Sequence, residues 1–267
     1  MDTLPFEFCD SVVSSIDNIR RLPALVSALS DRNFDIWRAV IEDHVANQRD
    51  CSICLGINVL NNLEELRRTK KKHLRIRQIN CYGTTLNAID FEVLKYVKQH
   101  GHCSLLNMDM DKDRIDLTSE KKEQIANYFK GISFTEIYLH HPYEAVLRHH
   151  AQSKALTHIH LTKTGWSKDI EPVVEKILLT NPIKYADICE SFVFGNAFLE
   201  QLFDVPGLTS EKKTLYIFVE NFDDFCDFHP NLQIERGDGY AIWERDDGVR
   251  VSMKFNSYDG STWLTFS

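Results

Sequence analysis

Apolar residues recur along the chain in one spacing, filling positions x, x+3 and x+5 at Ile76/Ile79/Cys81, Leu105/Met108/Met110, Phe134/Ile137/Leu139, Leu156/Ile159/Leu161 and Cys189/Phe192/Phe194. Successive groups start 29, 29, 22 and 33 residues apart. Short apolar runs bounded by polar residues predict buried strands. A sixth, Leu215-Tyr216-Ile217-Phe218-Val219, follows at a similar distance. Between the runs the apolar period becomes helical: Phe91/Leu94/Val97, Ile125/Phe129 and Val173/Val174/Ile177/Leu178 form stripes, and Gly101 and Gly131 follow the first two.

This alternation predicts an α/β fold. Strand and helix at such intervals fit an irregular leucine-rich-repeat-like solenoid, in which each unit buries its strand against its own helix and its neighbours. A doubly wound parallel sheet fits the same alternation. No strand is followed by GxGxxG or GxxxxGKS/T, so the nucleotide-binding form of that sheet lacks its chemical support. Where a leucine-rich repeat usually places Asn or Cys after the strand, this chain has Thr84, Asp113, Pro142, Thr164 and Ala197, so the repeat is degenerate.

Beyond Val219 the pattern shifts to two-residue alternation in Tyr240–Trp243, Val249–Phe255 and Thr262–Leu264, with Asp246-Asp247-Gly248 as a turn. The expected organisation is an N-terminal helical region (1–45), a helical linker (46–75), the repeat domain (76–220) and a C-terminal β cap (221–267). In that cap Trp243 and Trp263 are expected to be packed.

Composition narrows the function. The formal net charge of −8 argues against a general nucleic-acid binder, which needs clustered cations facing phosphates. A basic run (Arg67, Arg68, Lys70, Lys71, Lys72, Arg75 and Arg77) reads first as a solvated helix end, with a localisation signal or acidic-partner patch as the alternative. No apolar stretch approaches the 18 residues of a membrane span, and acidic Asp2 opens the chain where a leader would have a basic region. The seven cysteines are scattered, which fits thiols in a reducing compartment, cytoplasmic or nuclear.

Candidate chemistry is sparse. Cys51-x-x-Cys54 resembles half of a zinc site, but no second pair follows, and the histidines at 140–141, 149–150, 158 and 160 match no ligand spacing. GxSxG, HExxH and kinase-type motifs are absent, and Asp223-Asp224 and His229 carry no defined geometry. A non-catalytic binding protein without metal or cofactor is expected, with an unfamiliar hydrolase as the lesser alternative. If the runs are strands, the residues between their apolar positions face outward. These are Asn80, Asp109, Tyr138 and His160, with Tyr216 following, and they are the candidate positions for contact with a protein substrate.

At the N-terminus, Leu4-Pro5-x-Glu7 precedes Val12 and Ile16, a second apolar stripe begins near Pro23, and Trp37-Arg38 closes the segment. Residues 2–45 resemble an F-box, and the chain as a whole is similar to nematode-type F-box-like proteins with divergent repeat regions. The segment between Ile16 and Trp37 is several residues longer than the F-box pattern. The resemblance implies docking on a Skp-type adaptor within a cullin–RING ubiquitin ligase, with Leu4, Pro5, Val12, Ile16 and Trp37 as anchors and the C-terminal region holding the substrate. The same stripe also fits a helical cap over the first repeat. A repeat scaffold that never meets a ligase is therefore the alternative.

Overall fold

The computed structural model describes residues 6–14, 27, 35–47, 49–56, 66–68, 74–83, 86, 88–99, 102–110, 119–204, 212–220, 223 and 233–267. Its parallel half contains β1 (Arg49–Leu55), β2 (Leu74–Gly83), β3 (His102–Met110), β4 (Ser133–Leu139), β5 (His158–Leu161), β6 (Tyr185–Ile188), β7 (Val193–Phe194) and β8 (Lys213–Val219). Helices α3 (Ala88–Lys98), α4 (Ser119–Phe129), α5 (Glu144–His150), α6 (Glu171–Thr180) and α7 (Asn196–Phe203) alternate with these strands. Among the described residues, α1 (Phe6–Ser14) and α2 (Asp35–Asn47) precede them. Strands β9 (Gln233–Gly237), β10 (Tyr240–Glu244), β11 (Arg250–Phe255) and β12 (Ser261–Phe266) complete the element order.

The twelve strands of the described residues belong to one mixed sheet of order β1-β2-β3-β4-β5-β6-β8-β12-β11-β10-β9, with β7 paired to β8. The first seven in that order are parallel neighbours. Stepping in chain order with crossovers of one hand sets successive helices on the same side. Their buried faces, including Leu94, Phe129, Leu147, Ile177 and Leu202, share one core with the sheet. The inner row reads Ile79, Leu106, Ile137, Ile159, Ala186, Leu215, Leu264, Met253 and Ala241 in register across the strands.

This architecture corrects the expectation of F-box-like helices, a leucine-rich-repeat-like solenoid and a separate β cap. Strand β12 hydrogen-bonds along the outer edge of β8, with Leu264 opposite Leu215, and β11, β10 and β9 continue from it. The antiparallel strands therefore continue the same sheet beyond β8, the last of its parallel neighbours. Trp243 is fully buried in the common core, edge-on to Phe203 of α7.

Several local expectations change for physical reasons. Within the segment expected to be a helical linker, Arg49–Leu55 is strand: Cys51, Ile53 and Leu55 alternate inward and pair with β2. Arg75 and Arg77 lie in β2 instead of at a solvated helix end; Arg77 Nε sits 3.2 Å from Asp50 Oδ2. The register slips between Cys51 and Ser52, leaving Arg77 as an extra residue in β2. That bulge turns both Ile76 and Ile79 inward although they are three apart, the odd step in the x, x+3, x+5 spacing. The fifth apolar group begins beyond the strand it stands for, because β6 uses Ala186 and Ile188, whereas Phe192 and Phe194 fill the core around β7.

In region 1–45, α1 and α2 form a satellite core of Cys9, Val13, Val40 and Ile41, with Ile36 and Trp37 packed against it. His44 is buried there and its Nε2 lies 3.0 Å from Asp10 Oδ1. Among the described residues of this region the helices are these two folded on each other, a pair that is not the helical set of an F-box. Arg75 Nη2 donates to the Val13 carbonyl at 3.2 Å, which ties this pair to β2. Among the described residues no helix is long and apolar enough to cross a membrane.

Candidate functional site: an aromatic row on the open face of the sheet

With the helices on one side, strand alternation sends every second side chain to the other. One transverse row on that open face reads Asn80, Asn107, Tyr138, His160, Asp187, Tyr216, Trp263 and Lys254, each paired in register with the next. Neighbouring strands lie about 4.8 Å apart, which is stacking distance for rings that share a register. The row therefore becomes a ladder of aromatic contacts. Tyr138 and His160 stack with centroids 3.8 Å apart and planes 14° from parallel. Tyr185, two residues before Asp187 and on the same face, continues the series at 5.0 Å from His160 and 5.6 Å from Tyr216. Trp263 closes it, meeting Tyr216 edge-on at 4.6 Å, and remains 44% exposed.

Polar groups interleave with the rings. Asp187 Oδ2 lies 3.6 Å from His160 Nδ1, and Glu136 is opposite His158. Burial, then the charges of Glu136 and Asp187, raises the Tyr138 phenol above its ordinary value. Burial followed by Asp187 does the same to Tyr185. Both hydroxyls are thus held protonated, as donors beside apolar rings. At the edge of the face, Thr162 Oγ1 and His140 Nδ1 are hydrogen-bonded at 3.0 Å.

A cavity of about 440 Å³ opens where this row meets the C-terminal ends of β5 and β6, and Asp187, Tyr216 and Trp263 belong to both. In open α/β sheets the carboxyl ends of parallel strands, near a change of strand order, are the usual place for a ligand. Here the parallel strands end at β8, where antiparallel β12 takes over.

Of the residues expected to contact a substrate, the fold brings Tyr138, His160 and Tyr216 into one ladder. Asp109 is exposed on the same face, opposite Tyr82. Asn80 lies in the row but is buried, and its Oδ1 is already engaged, accepting from Gln78 Nε2 at 2.6 Å and from Tyr82 OH at 3.3 Å. Tyr185 and Trp263 were missed. Tyr185 sat outside the misplaced fifth group, and Trp263 was expected to be packed, although alternation with buried Thr262 and Leu264 assigns it outward.

Of the residues expected to anchor an adaptor, Val12 is 36% exposed on α1 beside Phe8, which is 49% exposed. Trp37 instead turns partly inward, edge-on to Phe8 at 6.4 Å. Leu4, Pro5 and Ile16 lie outside the described residues.

Among the described residues, no three His, Cys, Asp or Glu side chains group as metal ligands. Burial keeps Cys103 a thiol by raising it to about 12, and it raises Cys81 and Cys189 as well. A nucleophilic thiolate needs the opposite shift. No family model matches the chain, and no curated protein is significantly similar to it.

Proposed function

We propose that this chain is a non-catalytic recognition protein that holds a protein ligand against the open aromatic face and presents it to a Skp-type subunit of a cullin–RING ubiquitin ligase. The observation that supports the first half is the ladder Tyr138–His160–Tyr185–Tyr216–Trp263. Rings fixed by stacking lose little further freedom on binding, and aromatic side chains with polar tips supply much of the energy at the centres of protein interfaces. The second half is supported by Phe8 and Val12, which are exposed side by side on α1 as an apolar patch. Such a role is exercised in the cytoplasm or nucleus.

The two halves separate experimentally. In a cross-linking comparison, Tyr138→Ala/Tyr216→Ala is expected to lose a protein ligand and keep the Skp-type subunit. Phe8→Asp/Val12→Asp is expected to do the reverse. A ligand retained by the face variant would remove the first half; a purified Skp-type subunit that ignores the folded wild type would remove the second. In that event the chain is an interaction scaffold without a ligase partner. The inward packing of Trp37 favours that second reading, because a ring engaged with Phe8 offers less to an adaptor.

A further inference from the structure

The cavity at the end of the aromatic row combines two kinds of wall. Tyr216, Phe218 and Trp263 supply rings, and Asp187, Glu190 and Asp259 supply carboxylates. The Asp259 carboxylate is fixed in place, since Ser261 N–H and Oγ–H both donate to its Oδ1, at 2.9 and 2.6 Å. Asp187 faces His160 Nδ1 at 3.6 Å, too far for a satisfied hydrogen bond. The cation lining this cavity, Lys163, is held aside, with Nζ 3.2 Å from His141 Nε2. Its backbone is in the left-handed region at φ 60°, which a lysine adopts at a cost and which sets the path of the loop at the cavity's rim.

We propose that this cavity receives an arginine or lysine side chain carried by the protein ligand that lies on the aromatic face. The inference rests on the recognition reading above and names what that ligand presents. Rings and carboxylates together select a cation: ring faces attract positive charge, and carboxylates accept the N–H groups of a guanidinium or ammonium. Arginine gains more than lysine, because its planar head stacks on rings and is more weakly hydrated. An acidic side chain would be repelled, and an apolar one would strip water from the carboxylates without replacing it. The volume, about 440 Å³, exceeds a single guanidinium head, leaving room for solvent and the flanking backbone.

The test uses the full chain, labelled with ¹⁵N, titrated with N-acetyl-L-arginine methylamide, its lysine counterpart and its neutral citrulline counterpart. Arginine, and more weakly lysine, is expected to shift the Trp263 indole and the Glu190 amide saturably, while citrulline leaves both in place. Asp187→Asn/Glu190→Gln is expected to weaken arginine binding about tenfold or more, since a carboxylate–guanidinium contact is lost with each change. The inference is overturned if citrulline matches arginine, if arginine shifts neither signal, or if the folded double variant binds as the wild type does. Should that variant misfold, the arginine–citrulline comparison on the wild type decides alone. Tyr138 lies outside the cavity. A protein ligand that depends on Tyr138 while free arginine is ignored therefore defeats this inference and leaves the recognition face standing.

Discussion

Replacing His150 with leucine should make the protein resistant to mild acid. His150 ends α5, is 3% exposed and packs edge-on to Phe134 with ring centroids 5.1 Å apart. Its Nε2 has no hydrogen-bond partner among the described residues, so a proton placed there gains a charge without a counter-charge. Burial, and secondarily His149, lowers its pKa from 6.5 to about 4. A base lowered in the folded state is protonated first in the unfolded chain. Stability is therefore complete above pH 6.5 and is lost as pH falls through the window down to about 4. At roughly 1.4 kcal/mol per unit the whole shift is worth about 3 kcal/mol, of which about 2 kcal/mol falls between pH 7 and pH 5. Urea denaturation of both proteins at those two pH values, at constant ionic strength, isolates the term. The wild type should lose about 2 kcal/mol more than His150→Leu on going to the lower pH. Equal losses would show that His150 is not held neutral by its surroundings, and the account of this corner of the core would be wrong.

Three further outcomes are expected. Lys213 is 2% exposed and donates to the Leu178 carbonyl at 2.9 Å, and burial lowers its pKa from 10.5 to about 8. Between those values the unfolded chain holds the extra proton, so the melting temperature should carry a component that rises with pH from about 8 to 10.5, and Lys213→Met should lack it. Leu264→Ala, at the seam between β12 and β8, should cost about 3 kcal/mol and leave one cooperative transition seen alike by tryptophan fluorescence and far-UV circular dichroism. Two separated transitions would instead mean that the antiparallel strands fold independently. Tyr138→Ala, which removes one stacked pair from the open face, should cost only about 1 kcal/mol in a thermal or urea titration.

The parallel strands were legible because their inward residues are large and must be buried. Ile137 with Leu139, and Ile159 with Leu161, leave little alternative to a strand. Tyr138 and His160 followed from those, since alternation fixes the intervening side chain. Strand β6 was not legible: its inward residues are Ala186 and Ile188, and the bulkier Phe192 and Phe194 just beyond drew the pattern away. Strand β1 was hidden for another reason, because Cys54 on the outward side breaks the visible alternation of Cys51, Ile53 and Leu55. The partner of β12 could not be read at all. Each antiparallel strand looks much alike locally, and the choice of β8 as neighbour depends on which edge is free in the assembled sheet. The cavity shared this illegibility, since Asp187 and Trp263 meet only through that pairing.

The placement of β12 also sets an order of events. Strand β8 is synthesised before β9, β10 and β11, yet its outer neighbour is β12, which comes after all three. During synthesis the parallel half can stack strand upon strand as each emerges, but the N–H and C=O groups on the outer edge of β8, away from β6 and β7, stay unpaired until residues 261–266 arrive. That interval exposes a sticky edge, and a nascent chain stalled within it is a candidate for chaperone capture or for pairing with a second copy. It also delays competence: Trp263 rides on β12, so the face that would grip a ligand is incomplete until the sheet has been closed around β8.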